Sequence, residues 1–354
     1  MARTPAEPRG AQPARSAQPA PSNDRPQALP TEARAAVLAW FDERGRALAF
    51  RGTRDPYAIL VSEVMAQQTQ ISRVVEAWAR FLDRFPTVTD LADATPADVL
   101  RAWQGMGYDR RALNLRRTAR AIVDEYGGRV PSDVADLERL PGIGPYTARA
   151  VASIAFGARV GAVDTNVRRV LGRTVAGLGA AALPARELQV MADASVDPDR
   201  PGDWTHALMD VGATLCRPRA PRCGACPLPG WCRFAAQSAG GDDTAAASIR
   251  AAIGPARPSR AAPRPSRPPG RPSRPLANAP SRAPAIPFPA TTRWLRGRIV
   301  DRLRAATGTS WSTVDAPIGD HGTTAIRAAL AALARDGVVE LDPTDPDRAR
   351  LPTA

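Results

Sequence analysis

Two acidic residues in apolar surroundings are the first candidates for chemistry in this sequence. Glu63 stands among apolar residues in the helical pattern of residues 57–67, and Asp164 follows an apolar run and precedes another helical pattern. A carboxylic acid in an apolar pocket has a raised pKa and can donate a proton. Taken singly, Glu63 is also compatible with a solvated helix face and Asp164 with a helix N-cap. The pair therefore indicates acid–base chemistry only if other motifs accompany it.

Four cysteines form a second group that could do chemistry. Cys216, Cys223, Cys226 and Cys232 have the spacing C-x6-C-x2-C-x5-C, and no cysteine occurs elsewhere in the chain. The N-terminus lacks an apolar signal segment, so export is not expected and the cytoplasm is the expected location. In a reducing compartment a disulfide framework is disfavoured, and four closely spaced thiolates suit zinc or an iron–sulfur cluster. Spacing alone leaves the two metals open.

A glycine-rich turn lies between the two acids in the sequence. Residues 140–145 read Leu-Pro-Gly-Ile-Gly-Pro and precede a helical pattern that extends to Phe156. Glycine tolerates positive φ and close approach of the backbone, and proline fits the first turn of a helix. Such a turn leaves backbone N–H groups at a helix N-terminus, where a phosphate can bind.

The elements that must position these groups are predicted to be helices. Residues 31–235 show helical periodicity with short connections and no long β alternation, which predicts an all-α domain. Residues 1–30 are expected to be a disordered tail and residues 236–290 a Pro/Arg-rich linker. In residues 291–354, two helical patterns and a possible hairpin predict a small winged-helix-like α+β domain, with a helical protein-contact module as the alternative.

The basic residues and the hydropathy of the sequence exclude two further kinds of function. The net charge is +13 and all 48 basic residues are Arg, which excludes chemistry that needs a lysine side chain. The excess of Arg is concentrated in the linker, where a basic tether would add salt-sensitive attraction to DNA or RNA. No run of eighteen apolar residues occurs, so no membrane span is expected.

Together these motifs resemble the helix-hairpin-helix DNA glycosylases over residues 31–235. The glycine turn, Asp164 and the cysteine loop occur in the order of the endonuclease III and MutY branch, which carries a 4Fe–4S cluster in a two-lobed all-α fold. Residues 62–69, Ser-Glu-Val-Met-Ala-Gln-Gln-Thr, resemble the signature of the MutY adenine glycosylases, and residues 105–108, Gly-Met-Gly-Tyr, resemble a second one. The related lyases have a lysine where this chain has Tyr146, so the resemblance implies a monofunctional glycosylase.

The resemblance also implies roles for individual residues. The substrate would be double-stranded DNA with adenine opposite 8-oxoguanine or guanine, bound by a monomer. Glu63 would protonate the adenine and Asp164 would stabilise the sugar, with Tyr146 and Asn166 completing the catalytic group. DNA contacts are implied for Gln67, Gln68, Gly142, Ile143, Gly144, Tyr108 and Arg51. The four cysteines would hold the 4Fe–4S cluster.

Three features depart from the family pattern. The cysteine loop is followed by the Pro/Arg linker rather than by a domain resembling the Nudix hydrolases, Tyr108-Asp109 replaces a pair of tyrosines, and Phe50-Arg51 replaces Trp-Arg. Two alternatives stay open at this point. One is a thymine or uracil glycosylase that acts on G:T or G:U mismatches, and the other is a non-catalytic iron–sulfur DNA-binding regulator.

Overall fold

A computed structural model describes residues 28–177, 183–238, 287–306 and 310–353 of the chain. The predicted N-terminal tail and the predicted linker lie almost entirely outside these residues. The α-helices are α1 (Thr31–Arg44), α2 (Pro56–Ala66), α3 (Ile71–Arg84), α4 (Val88–Asp93), α5 (Pro96–Ala102), α6 (Arg110–Tyr126), α7 (Val134–Arg139), α8 (Pro145–Phe156), α9 (Thr165–Ala176), α10 (Ala185–Ala194), α11 (Pro201–Asp210), α12 (Arg233–Ser238), α13 (Thr292–Ala305) and α14 (Thr323–Arg335). None of the described helices is long and apolar enough to cross a membrane.

Two separate hydrophobic cores divide the helical region into two lobes. The larger core is built by residues of α2 to α8, and the smaller one joins α1 to α9, α10 and α11. The smaller lobe begins slightly before the predicted boundary, because Leu29 is buried in it and its N–H donates to Ser195 Oγ at 2.9 Å. The two cores confirm the predicted two-lobed, all-α architecture.

Helix α2 runs through the centre of the larger lobe. Asp55 caps it by accepting hydrogen bonds from the N–H groups of Tyr57 and Ala58, and Pro56 occupies the first helical position, where its missing N–H costs nothing. Every residue from 57 to 65 is buried, since α3, α6 and α8 all pack against this helix. Its sequence is apolar all round except for Ser62 and Glu63, so α2 carries an acid into the interior.

Helix α11 connects the two lobes. It packs against α1 and α9 in the smaller lobe and against α8 in the larger one. It continues through a π-helical turn, Val211–Leu215, directly into the segment with the cysteines. Such π turns are rare and often lie at functional sites, and this one ends directly before Cys216.

The C-terminal residues form a small α+β unit, which we call the C-terminal module (residues 287–306 and 310–353). Its three-stranded antiparallel sheet has the order β1 (Ser312–Thr313), β3 (Arg348–Arg350), β2 (Glu340–Leu341). Helix α14 packs against β2, and α13 packs against α14. The sequence predicted the helices and the β2–β3 pairing, but not β1. The buried apolar residues of the module are continuous with the core of the larger lobe.

Candidate active site

Glu63 is a buried carboxyl group whose pKa depends on burial and on three neighbouring residues. Only 7% of the residue is exposed. Burial raises the pKa of Glu63 to about 7, and the negative charge of Asp164 acts in the same direction. A hydrogen bond with Tyr146 and the positive charge of Arg51 oppose this rise. At neutral pH a large fraction of Glu63 is therefore protonated and able to donate a proton.

Tyr146 lies beside Glu63 in the first turn of α8. Its hydroxyl donates to Met209 Sδ at 3.4 Å and also interacts with the Glu63 carboxyl group. Burial raises the pKa of Tyr146 well above its ordinary value, and the charges of Glu63 and Asp164 add to this effect. Tyr146 therefore stays protonated and acts as a hydrogen-bond donor in this pocket.

Asp164 is held in place by the helix that it caps. Its Oδ1 accepts the Val167 N–H at 2.7 Å, and its Oδ2 accepts the side-chain amide of Asn166 at 2.8 Å. Asn166 is held in turn by Arg169, whose Nη2 donates to Asn166 Oδ1 at 2.8 Å. Asp164 is thus a helix N-cap and a neighbour of Glu63 and Tyr146 at once, and its side chain has a fixed orientation.

Arg51, for which the sequence predicted a DNA contact, lies in an ion pair inside the protein. Its side chain is 10% exposed, and its two terminal nitrogens bind the carboxylate of Asp210 at 2.8 Å each. Arg46 binds the same carboxylate, through its backbone N–H at 2.8 Å and its Nε at 2.7 Å. The Arg51 charge is therefore paired with Asp210 inside the protein, and it also lowers the pKa of Glu63.

Asp210 and Arg46 are site residues that sequence reasoning missed. Burial would raise the pKa of Asp210, but hydrogen bonds from Arg51 and Arg46 outweigh burial and lower it. The sequence feature that could have identified Asp210 is its position as an acid at the end of a helix that leads into the cysteine segment. His206, one turn earlier, has its pKa lowered to about 3 by burial and by the charge of Arg51, so it stays neutral and is not a rival acid.

The glycine turn has the geometry that its sequence predicted. Gly142 has φ +81°, and a Cβ on it would come within 2.9 Å of Asn114 Cβ. Ile143 is buried and anchors the turn, with its N–H donating to the Leu140 carbonyl at 3.1 Å. Gly144 is the N-cap residue of α8 and no side chain caps this helix end. The N–H groups of the first turn of α8 are therefore available to an anion.

Gln67, Gln68 and Tyr108 lie at two chain segments that Arg111 joins. The Gln67 amide donates to Thr147 Oγ1 at 3.2 Å, whereas Gln68 is exposed. Both Gln68 and Tyr108 have positive φ, +55° and +50°. Arg111 bonds to backbone carbonyls at the end of α2 and to those of Met106 and Gly107. This guanidinium therefore fixes the residues after Glu63 against the loop that carries Tyr108.

The four cysteines surround one pocket in the smaller lobe. All four are free thiols, half-buried, and line the pocket together with residues of α9 and Phe234. Burial raises the pKa of Cys226 to about 12, a shift that a bound cation would reverse. In the described ranges no three His, Cys, Asp or Glu side chains already stand in metal-binding geometry. The donor set nevertheless fits a metal centre, since four thiols face a shared cavity.

Comparison with known proteins first defines a class. Residues 61–181, from α2 to beyond α9, match the HhH-GPD superfamily of base excision DNA repair proteins. The match includes Glu63, the glycine turn and Asp164. This part of the chain is therefore similar to that superfamily. The cysteine segment lies outside the matched residues.

Curated relatives with similar sequences include adenine DNA glycosylases. The chain is 48% identical to the adenine DNA glycosylase of Mycolicibacterium smegmatis over 194 residues, which cover 54% of this chain and 66% of the relative. It is 42% identical to the human adenine DNA glycosylase over 215 residues, covering 57% of this chain and 39% of the relative. The chain thus spans less than two thirds of the length of these relatives.

Solved structures with the same fold include two further enzymes. A thermostable thymine-DNA glycosylase superposes with a TM-score of 0.55 at 29% identity, covering 58% of this chain and 95% of that one. A trapped endonuclease III–DNA covalent intermediate superposes with a TM-score of 0.51 at 25% identity, with the same coverage. Both likenesses support the helix-hairpin-helix fold.

Proposed function

We propose that the protein is a monofunctional adenine DNA glycosylase of base excision repair. The observation that carries the proposal is Glu63, a buried acid with a pKa of about 7 that lies beside Tyr146 and within electrostatic reach of Asp164. The sequence similarity to adenine DNA glycosylases supports adenine as the released base. The proposed substrate is duplex DNA with adenine opposite 8-oxoguanine or guanine, bound by a monomer.

In the proposed reaction, the adenine nucleotide leaves the base stack and binds next to Glu63 and Asp164. Glu63 donates its proton to a ring nitrogen, and the bonding electrons of the N-glycosidic bond leave with the adenine. Asp164, held by Asn166 and by the N–H of Val167, stabilises the positive charge that develops on the sugar. Water supplies the hydroxyl group that replaces the base.

The chain has no residue for the lyase route. A Schiff base with the opened sugar needs an amine side chain, and the sequence has no lysine. Tyr146 occupies the first turn of α8 in the pocket and stays protonated, which suits a hydrogen-bond donor to Glu63 rather than a nucleophile. We therefore infer that the product is an abasic site in an uncut strand.

DNA binding is proposed for the glycine turn and for the two loops joined by Arg111. The N–H groups at the start of α8 would bind a phosphate, a contact that is independent of base sequence. Gln67, Gln68 and Tyr108 would contact the DNA near the extruded base. Of these, Gln68 and Tyr108 have the exposure that such contacts require.

For the cysteine segment we propose a 4Fe–4S cluster bound by Cys216, Cys223, Cys226 and Cys232. All four thiols line one pocket, which is the place that the cluster would occupy. The cluster would supply a rigid crosslink within this loop, and the excision chemistry needs no electron transfer from it.

One assay tests the proposed activity. Duplexes with A:8-oxoG, A:G, G:T and G:U pairs are incubated in parallel with the protein, and release of each base is measured. We expect adenine release from the first two, with Glu63→Gln and Asp164→Asn lowering the rate by at least about a hundredfold while DNA binding persists. Thymine release without adenine release would favour the second candidate, a mismatch thymine glycosylase, which the likeness to a thymine-DNA glycosylase structure keeps open.

A further inference from the structure

The C-terminal module contacts the larger lobe beside a loop that carries a candidate DNA contact. We call residues 105–108 the tyrosine loop, because Tyr108 is its exposed side chain, 41% accessible. The backbone of the module reaches the neighbouring helix, where the N–H of Ala97 donates to the Pro352 carbonyl at 3.1 Å. The side chain of Arg304 also reaches α5, donating to the Leu100 carbonyl at 2.8 Å. The module is thus fixed against the segment that precedes the tyrosine loop.

A buried ion pair joins the module to the residue that follows Tyr108. Arg304 on α13 pairs with Asp109, and their side chains are only 6% and 13% exposed. Arg304 also binds Asp301 of its own helix at 2.9 Å. These partners restrict the position of the guanidinium, and removal of Arg304 leaves the buried Asp109 carboxylate without its ion-pair partner.

A second contact lies on Tyr108 itself. The guanidinium of Arg293, an exposed residue of α13, is 4.4 Å from the centroid of the Tyr108 ring. Arg111, on the side of the larger lobe, is 5.4 Å from the same centroid. Tyr108 has φ +50°, a conformation that a non-glycine residue keeps only when its surroundings hold it. Cation–π contacts from both units provide such surroundings.

We propose that the C-terminal module positions the tyrosine loop for binding of mismatched duplex DNA, with Arg304 and Arg293 as its positioning residues. The inference rests on the proposed function, since it assigns the loop a role on that substrate. It gives the module a place in substrate binding rather than in bond cleavage. Among the described residues, the module contacts α5, Tyr108, Asp109 and Arg110, and none of its hydrogen bonds or ion pairs involves Glu63 or Asp164. The family pattern has a tyrosine where this chain has Asp109, so the ion pair replaces a side chain that the resemblance would lead one to expect.

The test separates binding from chemistry in the full-length protein. Arg293→Ala and Arg304→Ala are compared with Arg327→Ala, a matched control whose guanidinium binds Asp347 within the module. The dissociation constant for an A:8-oxoG duplex is measured in the Glu63→Gln background, and the single-turnover excision rate at saturating enzyme with Glu63 present. We expect both loop-facing variants to bind about tenfold more weakly, to excise within about twofold of the parent rate, and the control to match the parent.

A double-mutant cycle identifies the ion pair as the cause. Asp109 caps α6 by position but its side chain makes no capping hydrogen bond, so Asp109→Ala does not uncap the helix. The dissociation constant of the double variant Asp109→Ala/Arg304→Ala for the duplex should be at most about twofold above that of the single variant with the lower affinity. The reason is that each single substitution already removes the same ion pair. Circular dichroism and thermal unfolding confirm that each variant is folded, and Arg293→Ala, on an exposed residue, covers the case in which Arg304→Ala is not.

The outcomes distinguish this inference from the proposed function. Additive losses at Asp109 and Arg304, or binding by Arg293→Ala equal to that of Arg327→Ala, would overturn the positioning role. A parent protein that releases adenine but shows either result leaves the glycosylase assignment intact. A parent protein that binds the duplex without releasing any base contradicts the assignment and leaves the binding comparison to decide the role of the module.

Discussion

The pH dependence of adenine excision is the sharpest consequence of the site. Glu63 has a pKa of about 7 instead of 4.5, because burial disfavours its charged form. The group is needed in its protonated form, so activity is expected below pH 7 and is lost as the pH rises through 7. With that pKa the protonated fraction is about 0.9 at pH 6 and about 0.1 at pH 8, which predicts a roughly tenfold fall in rate between them.

Single-turnover excision at saturating enzyme, measured from about pH 5 to pH 9, checks this fall. DNA affinity and circular dichroism at each pH serve as controls for binding and folding. Tyr146→Phe is the matched variant, since it removes only the hydroxyl group whose hydrogen bond lowers the pKa of Glu63. The falling limb should therefore move to higher pH in this variant. A rate that stays level between pH 6 and pH 8, or a limb that moves to lower pH, would refute the assigned role of Glu63.

Three further predictions concern stability and the cysteine pocket. Glu63→Gln should stabilise the protein at pH 8 by up to about 3 kcal/mol, because the folded protein disfavours the ionised form of Glu63. This gain in stability should vanish below pH 4.5. Thermal unfolding of both proteins as a function of pH measures the difference, and a difference that stays constant across this range contradicts the prediction. Gly142→Ala should destabilise the folded protein by about 1–2 kcal/mol and weaken DNA binding, because Gly142 has positive φ. Gly144 has negative φ and open space where a Cβ would lie, so Gly144→Ala should leave the unfolding temperature unchanged. Equal effects of the two substitutions would be inconsistent with the geometry of the turn. Cys226→Ser should lower the iron content and the visible absorbance of anaerobically purified protein, and a parent protein that is colourless and contains zinc would argue against the iron–sulfur cluster.

The parts of the fold that sequence predicted best are those with long periodic patterns. Helices α2 and α8 were expected within one or two residues, because buried apolar positions recur along them and Pro, Asp or Gly marks their ends. The short helices α4 and α7 were not predicted, since six residues give too few periodic positions. Their caps were readable, with Thr87 and Asp133 each accepting backbone N–H bonds at the start of the helix. Strand β1 is only two residues long and carries no pattern of its own.

The sequence could predict those site residues whose role follows from their own side-chain chemistry and their place in a motif. Glu63, Tyr146 and Asp164 lie on three different helices, and motif order was enough to expect them together. The location of Arg51 depended on a partner far away in sequence. Its guanidinium is bound by Asp210, 159 residues later, and no local pattern relates the two positions. Contacts of this kind are set by how helices pack, which the linear sequence does not display.

The smaller lobe is discontinuous in sequence, and this affects synthesis of the protein on the ribosome. Its core joins Leu29 and Val37 near the start of the chain to Trp204 and Leu228, nearly two hundred residues later. Helices α2 to α8 of the larger lobe form one uninterrupted stretch between these parts. During translation the larger lobe can therefore begin to fold while α1 still exposes its apolar face. Helix α1 therefore obtains its packing partners only after α11 has left the ribosome, so the smaller lobe is expected to complete its core after the larger one.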